Sequence, residues 1–259
     1  MLTPQEAKER RALPNHRQAD RLAGRAALKG AYLLHRGEGF ERADVIAVAA
    51  APDGGPQLVG AEELHCSLSH SFGWGVGAVS SGPVGVDVER VLPRSPSLAT
   101  HIADEDEFEI MYVPEERLDA LIARVWTVKE AALKALGVGL AGLPRGVRIL
   151  SRDGSRVAVE TASAVPDTAP TLAAACRPRV LRDGRSGSAM DASAGTSPRR
   201  AGADEPCPHS RFWTAYTYSV DDHCIAVVTA LALPEQPRLR WFVPPGVLAA
   251  ERSEYARRA

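Results

Sequence analysis

The stretch GPVGVDVERV, residues 82–91, decides the fold. Successive side chains of a β-strand point to opposite faces. Val84, Val86 and Val88 then share one face, expected to be core, while Gly85, Asp87 and Glu89 share the other. Two carboxylates two residues apart on one strand face lie roughly 7 Å apart at Cα and can reach one cation between them. Gly85 is expected to leave room for a ligand close to the backbone. A solvent-facing strand edge carrying charges for solubility fits the same letters.

Downstream, VWTVKEAALKALG, residues 125–137, changes the period from two to 3.6. Glu130 and Lys134 stand at i,i+4 on one helix face with Trp126 and Leu133. They suit a surface ion pair worth a few tenths of a kcal/mol. They equally suit a third hard oxygen ligand with a fixed positive charge one turn away. Magnesium takes few carboxylates and completes its shell with phosphate oxygens and waters. A neighbouring lysine neutralises charge building on a leaving phosphate. Upstream, HCSLSHSFGWG, residues 65–75, places Ser69, His70 and Ser71 before a Gly-aromatic-Gly turn. Hydroxyls, an imidazole and free backbone N–H groups suit phosphate contacts. A Ser-His-Asp hydrolase is disfavoured, because no GxSxG elbow is present and the neighbouring side chains of Ser69 and His70 diverge on a strand. No GxxxxGK[ST] loop or kinase motif set occurs either.

Around these motifs the chain alternates helix and strand. Residues 19–34 form a helix with Leu22, Ala26, Leu28 and Ala31 as its apolar stripe. Strands are expected at residues 44–51, 66–69, 76–80, 84–88, 147–150, 157–159, 212–220 and 224–231, with a turn at residues 52–56. Helices are expected at 97–112 and 117–136, the second capped by Gly137. The 259 residues are 45% hydrophobic and 24% charged, enough for a sizeable core. A net charge of −1 excludes global attraction to nucleic acid or an anionic membrane. Cys66, Cys176, Cys207 and Cys224 have neither CxxC spacing nor a His cluster, so a zinc site and a disulfide framework are not expected. No apolar leader or spanning run is visible, and a cytoplasmic location is expected. Residues 177–211 are rich in Gly, Ser, Ala, Pro and Arg and are expected to be a disordered insertion between two strands.

The ordered set SLSHS, GVDVE and WTVKEAALK resembles the 4'-phosphopantetheinyl transferase superfamily, in its surfactin- and enterobactin-synthetase-activating branch. LAGRAALKGA (residues 22–31), IADEDEF (102–108) and GVGLAGLPRGVRIL (137–150) resemble further family segments. The likeness covers about residues 1–160 and 212–232. It implies an α+β fold of two similar α/β halves with pseudo-twofold symmetry. The halves would be residues 1–95, with the first metal ligands, and 96–235, with the third, followed by a tail at 236–259. It implies a magnesium-dependent enzyme, monomeric, that moves the phosphopantetheine arm of coenzyme A to a serine of an acyl, peptidyl or aryl carrier protein. Adenosine 3',5'-bisphosphate is released. Neither nucleic acid nor membrane is implied as a partner. The alternative is a non-catalytic module of the same fold that binds coenzyme A or a carrier protein.

Carried over by position, Asp87, Glu89 and Glu130 match the metal ligands, and Glu130 is also the base for the serine proton. Lys134 matches the lysine on the phosphates, which makes Asp87, Glu130 and Lys134 the catalytic set. Ser69 and His70 match coenzyme A contacts. Arg25, with Arg17 and Arg21 as alternatives, matches the 3'-phosphate contact. Glu107, with Glu105 as a competitor, matches the acidic residue on the helix after the metal strand. Gly54-Gly55-Pro56 replaces the family's Gly-Lys-Pro, which removes one basic contact. The strand that usually precedes the N-terminal helix has no counterpart before Leu2-Thr3-Pro4.

Overall fold

The computed structural model describes residues 2–52, 54–138, 144–162 and 210–230. In chain order these form α1 (Pro4–Arg11), α2 (Asn15–Arg36), a 3-10 turn (Phe40–Asp44), β1 (Val48–Ala50), β2 (Pro56–Leu58), β3 (His65–Ser71), β4 (Trp74–Ser80) and β5 (Val84–Arg90). Then come α3 (Pro96–Ile102), α4 (Glu105–Met111), α5 (Leu118–Ala135), β6 (Val147–Asp153), β7 (Arg156–Ala162), β8 (Ser210–Val220) and β9 (His223–Thr229). The fold is α+β. The expected insertion at 177–211 and the tail at 236–259 lie outside the described residues, except that residues 210 and 211 open β8.

Among the described residues, β1–β2 and β3–β4 are antiparallel pairs, and five strands form one antiparallel sheet in the order β5-β9-β8-β7-β6. A division after residue 95 would cut β5 from β9, to which it is paired from Val84 to Arg90. The strand bearing Asp87 and Glu89 therefore belongs to the sheet of the later part of the chain. It joins the earlier part by side chains instead of a ladder. Ser67 and Ser71 accept the N–H groups of Val86 and Arg90 at 3.1 and 3.2 Å, and Ser69 donates to Asp87 at 2.7 Å. The period-two serines of SLSHS thus line the edge of β5 that β9 leaves open.

Two helices cover these strands. α2 lies on β3–β4, and α5 lies on β5 and β9. Close approach depends on glycine. A Cβ on Gly77 would collide with the backbone of Leu28, and one on Gly85 with the carbonyl of Ala131. This corrects the expectation for Gly85: it makes room for α5, not for a ligand. Both faces of β5 are consequently covered, and Val84 through Val88 are all buried. Val125, Val128, Ala131 and Ala132 of α5 pack with Val147, Val157, Val159, Trp213, Ala226 and Val228. Each large apolar side chain buried there stabilises the fold by about 1.5–3 kcal/mol. A smaller cluster of Leu28, Val48, Leu58 and Ala61 sits under α2.

Three expected elements differ most, and α1 and β2 had no expected counterpart. The helix at 97–112 is two helices, because Ala103 is extended and Asp104 restarts the helix with a capping box to Glu107. The strand at 44–51 shrinks to Val48–Ala50, since Phe40–Asp44 forms a 3-10 turn that buries Ala43. The helix at 19–34 extends to Asn15–Arg36 and stops at Gly37, whose φ of 68° is left-handed. The end of α5 matches expectation. Gly137 has φ 72°, its N–H reaches the Lys134 carbonyl, and the Val138 N–H reaches that of Leu133.

One buried device occurs twice. Glu6 closes a capping box with Thr3, meets Lys29 of α2 at 2.5 Å and accepts the Val48 N–H at 3.2 Å. Glu107 closes a capping box with Asp104, meets Lys129 of α5 at 2.8 Å and accepts the Ile149 N–H at 2.8 Å. Both lysines are 0% exposed. In each copy a short helix, a long helix and a strand are tied by one carboxylate.

Candidate active site

The fold brings together residues from three elements. Asp87 lies on β5, Ser69 and His70 lie on β3, and Glu130 and Lys134 lie one turn apart on α5. Asp87 is only 3% exposed. Its Oδ1 accepts from Ser69 Oγ and from Lys134 Nζ, each at 2.7 Å. Its Oδ2 is buried without a hydrogen-bond partner, and so is Glu130 Oε1. Glu89, partly buried on the same face of β5, is held by Arg94 at 3.1 Å.

Electrostatics couple the three acids. Burial raises the proton affinity of Asp87, against the opposing pull of Lys134 and Ser69. Burial and then the charge of Asp87 raise that of Glu89, against Arg94. Burial and then Asp87 raise that of Glu130, with Lys134 opposing and Glu89 adding to the rise. Among the described residues no three His, Cys, Asp or Glu side chains already close around one point as a metal cage. The donor set nonetheless fits a small hard cation. It consists of carboxylates alone, two of their oxygens are buried and unpartnered, and their charges repel one another. An unsatisfied buried carboxylate oxygen is costly, and a cation relieves that cost.

His70 lies beside α2, where a Cβ on Gly24 would touch its ring. Burial lowers its proton affinity; Asp20 opposes this and Lys134 adds to it. Asp20 also accepts the Gly73 N–H at 2.7 Å, fixing the β3–β4 turn against α2. Arg25 is not at the site. It is buried, with its guanidinium on the Val48 carbonyl and 3.6 Å from Glu6. Arg21 pairs with Glu9 at 3.3 Å, and Arg17 is exposed. Glu107 is also elsewhere, its oxygens occupied by Lys129, Asp104 and Ile149. Its competitor Glu105 is exposed on α4.

Sequence reasoning passed over Arg94, Asp20 and Lys129. Lys129 had a usable signal: a lysine on the inner face of a helix needs a buried acid. Arg94 and Asp20 had none, because the loop after β5 and the β3–β4 turn bring them in.

A family profile described as "4'-phosphopantetheinyl transferase superfamily" matches residues 83–176, beginning at the entrance to β5. A holo-[acyl-carrier-protein] synthase of Geobacillus kaustophilus is 35% identical over 107 residues, which are 39% of this chain and 78% of that protein. The chain belongs to the 4'-phosphopantetheinyl transferase superfamily. Within it, the 4'-phosphopantetheinyl transferase psf-1 of Bacillus pumilus is 36% identical over 104 residues, covering 39% of this chain and 45% of the relative. The 4'-phosphopantetheinyl transferase Sfp of Bacillus subtilis is 27% identical over 89 residues, covering 34% and 40%. The chain thus spans about half or less of the length of these two transferases. Of the motifs read from sequence, GVDVE and WTVKEAALK fall inside the stretch matched to the superfamily and SLSHS falls before it.

Proposed function

We propose that the chain transfers the 4'-phosphopantetheine arm of coenzyme A to a serine hydroxyl of a carrier protein. The observation that carries this reading is the meeting of Asp87, Glu130 and Lys134, with Asp87 Oδ2 and Glu130 Oε1 buried and unpartnered. Superfamily membership supplies the reaction class.

Asp87, Glu89 and Glu130 would hold magnesium, which when bound neutralises negative charge on the pyrophosphate of coenzyme A. Glu130 takes the serine proton, directly or through water. The serine oxygen bonds to the β-phosphorus, and the bond from that phosphorus to the bridging oxygen breaks. The bridging oxygen leaves with adenosine 3',5'-bisphosphate. Lys134 turns its ammonium from Asp87 to the phosphates, where its charge meets the negative charge that develops. Ser69 steadies Asp87, and His70 meets a phosphate from β3. Arg25 is committed to Glu6, so the 3'-phosphate contact is assigned to Arg17 or Arg21.

The two halves are proposed to be related by a pseudo-twofold axis and to meet at residues 81–83, not at residue 95. The repeated Glu6–Lys29 and Glu107–Lys129 devices support this reading, as do the paired α2-on-β4 and α5-on-β5 contacts.

The test is a carrier-modification assay with magnesium, coenzyme A and apo carrier domains of fatty-acid, peptidyl and aryl type, read by intact mass. Wild type is expected to add one phosphopantetheine. Asp87→Ala and Lys134→Ala are expected to lower the rate by at least about 10²-fold with the fold retained by circular dichroism. Transfer that survives Asp87→Ala, or no transfer by wild type to any carrier, would sink the assignment.

A further inference from the structure

Phe72 stands against its own stability twice. It is 58% exposed at the β3–β4 turn, and its φ is +49°, the left-handed region that bulky residues rarely adopt. Gly73 follows with φ +84°, so the pair forms a two-residue hairpin turn with both central residues left-handed. That turn favours Asn-Gly, and an aromatic residue at its first position is costly. Nothing lies within 4 Å of a Cβ added to Gly73, so that side of the turn is open, while its N–H is held by Asp20 of α2 at 2.7 Å. The rest of the tip is braced. Arg90 places its guanidinium 5.1 Å from the Phe72 ring and pairs with Asp222 at 2.6 Å, while Trp74 stacks on His223 at 4.6 Å. What sets Phe72 apart from the other exposed apolar residues is its left-handed backbone together with a braced surround, which leaves the ring held and open to a partner.

Its place defines the contact. Phe72 is two residues beyond His70, and Arg90 directly follows Glu89 on β5. Two residues of strand span roughly 7 Å, so the tip borders the candidate active site. A projecting knob does not enclose a small ligand, whereas it does fit a shallow surface on another protein. Resting on the proposed transfer reaction, the geometry points to Phe72 and Arg90 as the knob on which the serine-bearing carrier protein docks. The carrier face would be apolar, to take the ring, with acidic groups beside it for Arg90, whose side chain stays 40% exposed despite Asp222. Docking here brings the carrier to the end of β5 that holds Glu89, the sequence neighbour of Arg90.

Phe72→Asn separates this role from a structural one, because it creates the Asn-Gly turn. Its melting temperature is expected to stay level or rise. The carrier KM is expected to rise about tenfold or more. The kcat and the KM for coenzyme A are expected to stay within about twofold. Titration of the apo carrier domains, followed without coenzyme A, is expected to show the same weakening. An unchanged carrier KM and unchanged binding overturn the inference, as does a rise confined to the KM for coenzyme A. If wild type transfers nothing, the proposed function falls; the titration still decides this inference, and carrier binding that is absent or insensitive to Phe72→Asn overturns it.

Discussion

Replacing Lys129 with methionine tests whether one buried ion pair holds the helix that carries Glu130. Lys129 is 0% exposed, and its ammonium meets Glu107 at 2.8 Å and the Val147 carbonyl at 2.7 Å. Burial lowers its proton affinity, and Glu107 opposes that. Methionine keeps most of the volume but leaves the Glu107 carboxylate buried, with only the N–H groups of Asp104 and Ile149 for partners. Breaking a buried pair from one side costs about 3–5 kcal/mol. Glu107→Leu alone strands the ammonium, at a similar cost of about 3–5 kcal/mol. The double variant removes both charges and loses mainly the capping box, at about 1 kcal/mol, and the Ile149 acceptor, at about 1–3 kcal/mol. The coupling between the two sites is therefore expected to exceed about 2 kcal/mol. Urea unfolding followed by far-ultraviolet circular dichroism measures all four proteins. A Lys129→Met cost below about 1 kcal/mol, or additivity within about 0.5 kcal/mol, would refute the assignment of α5 to this lock.

Two further predictions follow from the packing. Burial raises the pKa of Glu6, but the hydrogen bonds from Lys29, Thr3 and Val48 and the charge of Lys29 outweigh it, so its folded pKa lies below the ordinary 4.5. Its contribution to stability is then complete above 4.5 and lost as pH falls through the folded value; Glu6→Gln should flatten the acid limb of a stability–pH curve from urea midpoints, and an unchanged limb would contradict this. Gly85→Ala should push α5 off β5 through the Ala131 carbonyl and destabilise by about 1–3 kcal/mol or more in thermal melts, whereas a variant as stable as wild type would restore the reading of Gly85 as ligand space.

The helix-and-strand content was legible because hydrophobic periodicity is local. The letters of GVDVE and WTVKEAALK fix which residues share a face, and the observed β5 and α5 contain them. The break between α3 and α4 was equally local, in the capping box of Asp104 and Glu107, but the apolar pattern running through it hid the signal. Arg25 and Glu107 illustrate the limit. An arginine on an amphipathic helix and a glutamate in an acidic run carry no mark of being buried. Their partners, Glu6 and Lys129, are 19 and 22 residues away in sequence.

The sequence by itself determined that Asp87 and Glu89 point the same way along β5 and Glu130 and Lys134 along α5, since alternation and helical spacing are properties of a single segment. Only the tertiary structure decided that the two segments meet. Gly85 lets the backbone of α5 approach β5, the serines of β3 close the open edge of β5, and Lys134 then falls 2.7 Å from Asp87. Such contacts depend on surfaces that exist only after distant segments have packed. The same dependence turned Arg25 to Glu6 and Glu107 to Lys129, and left Phe72 exposed.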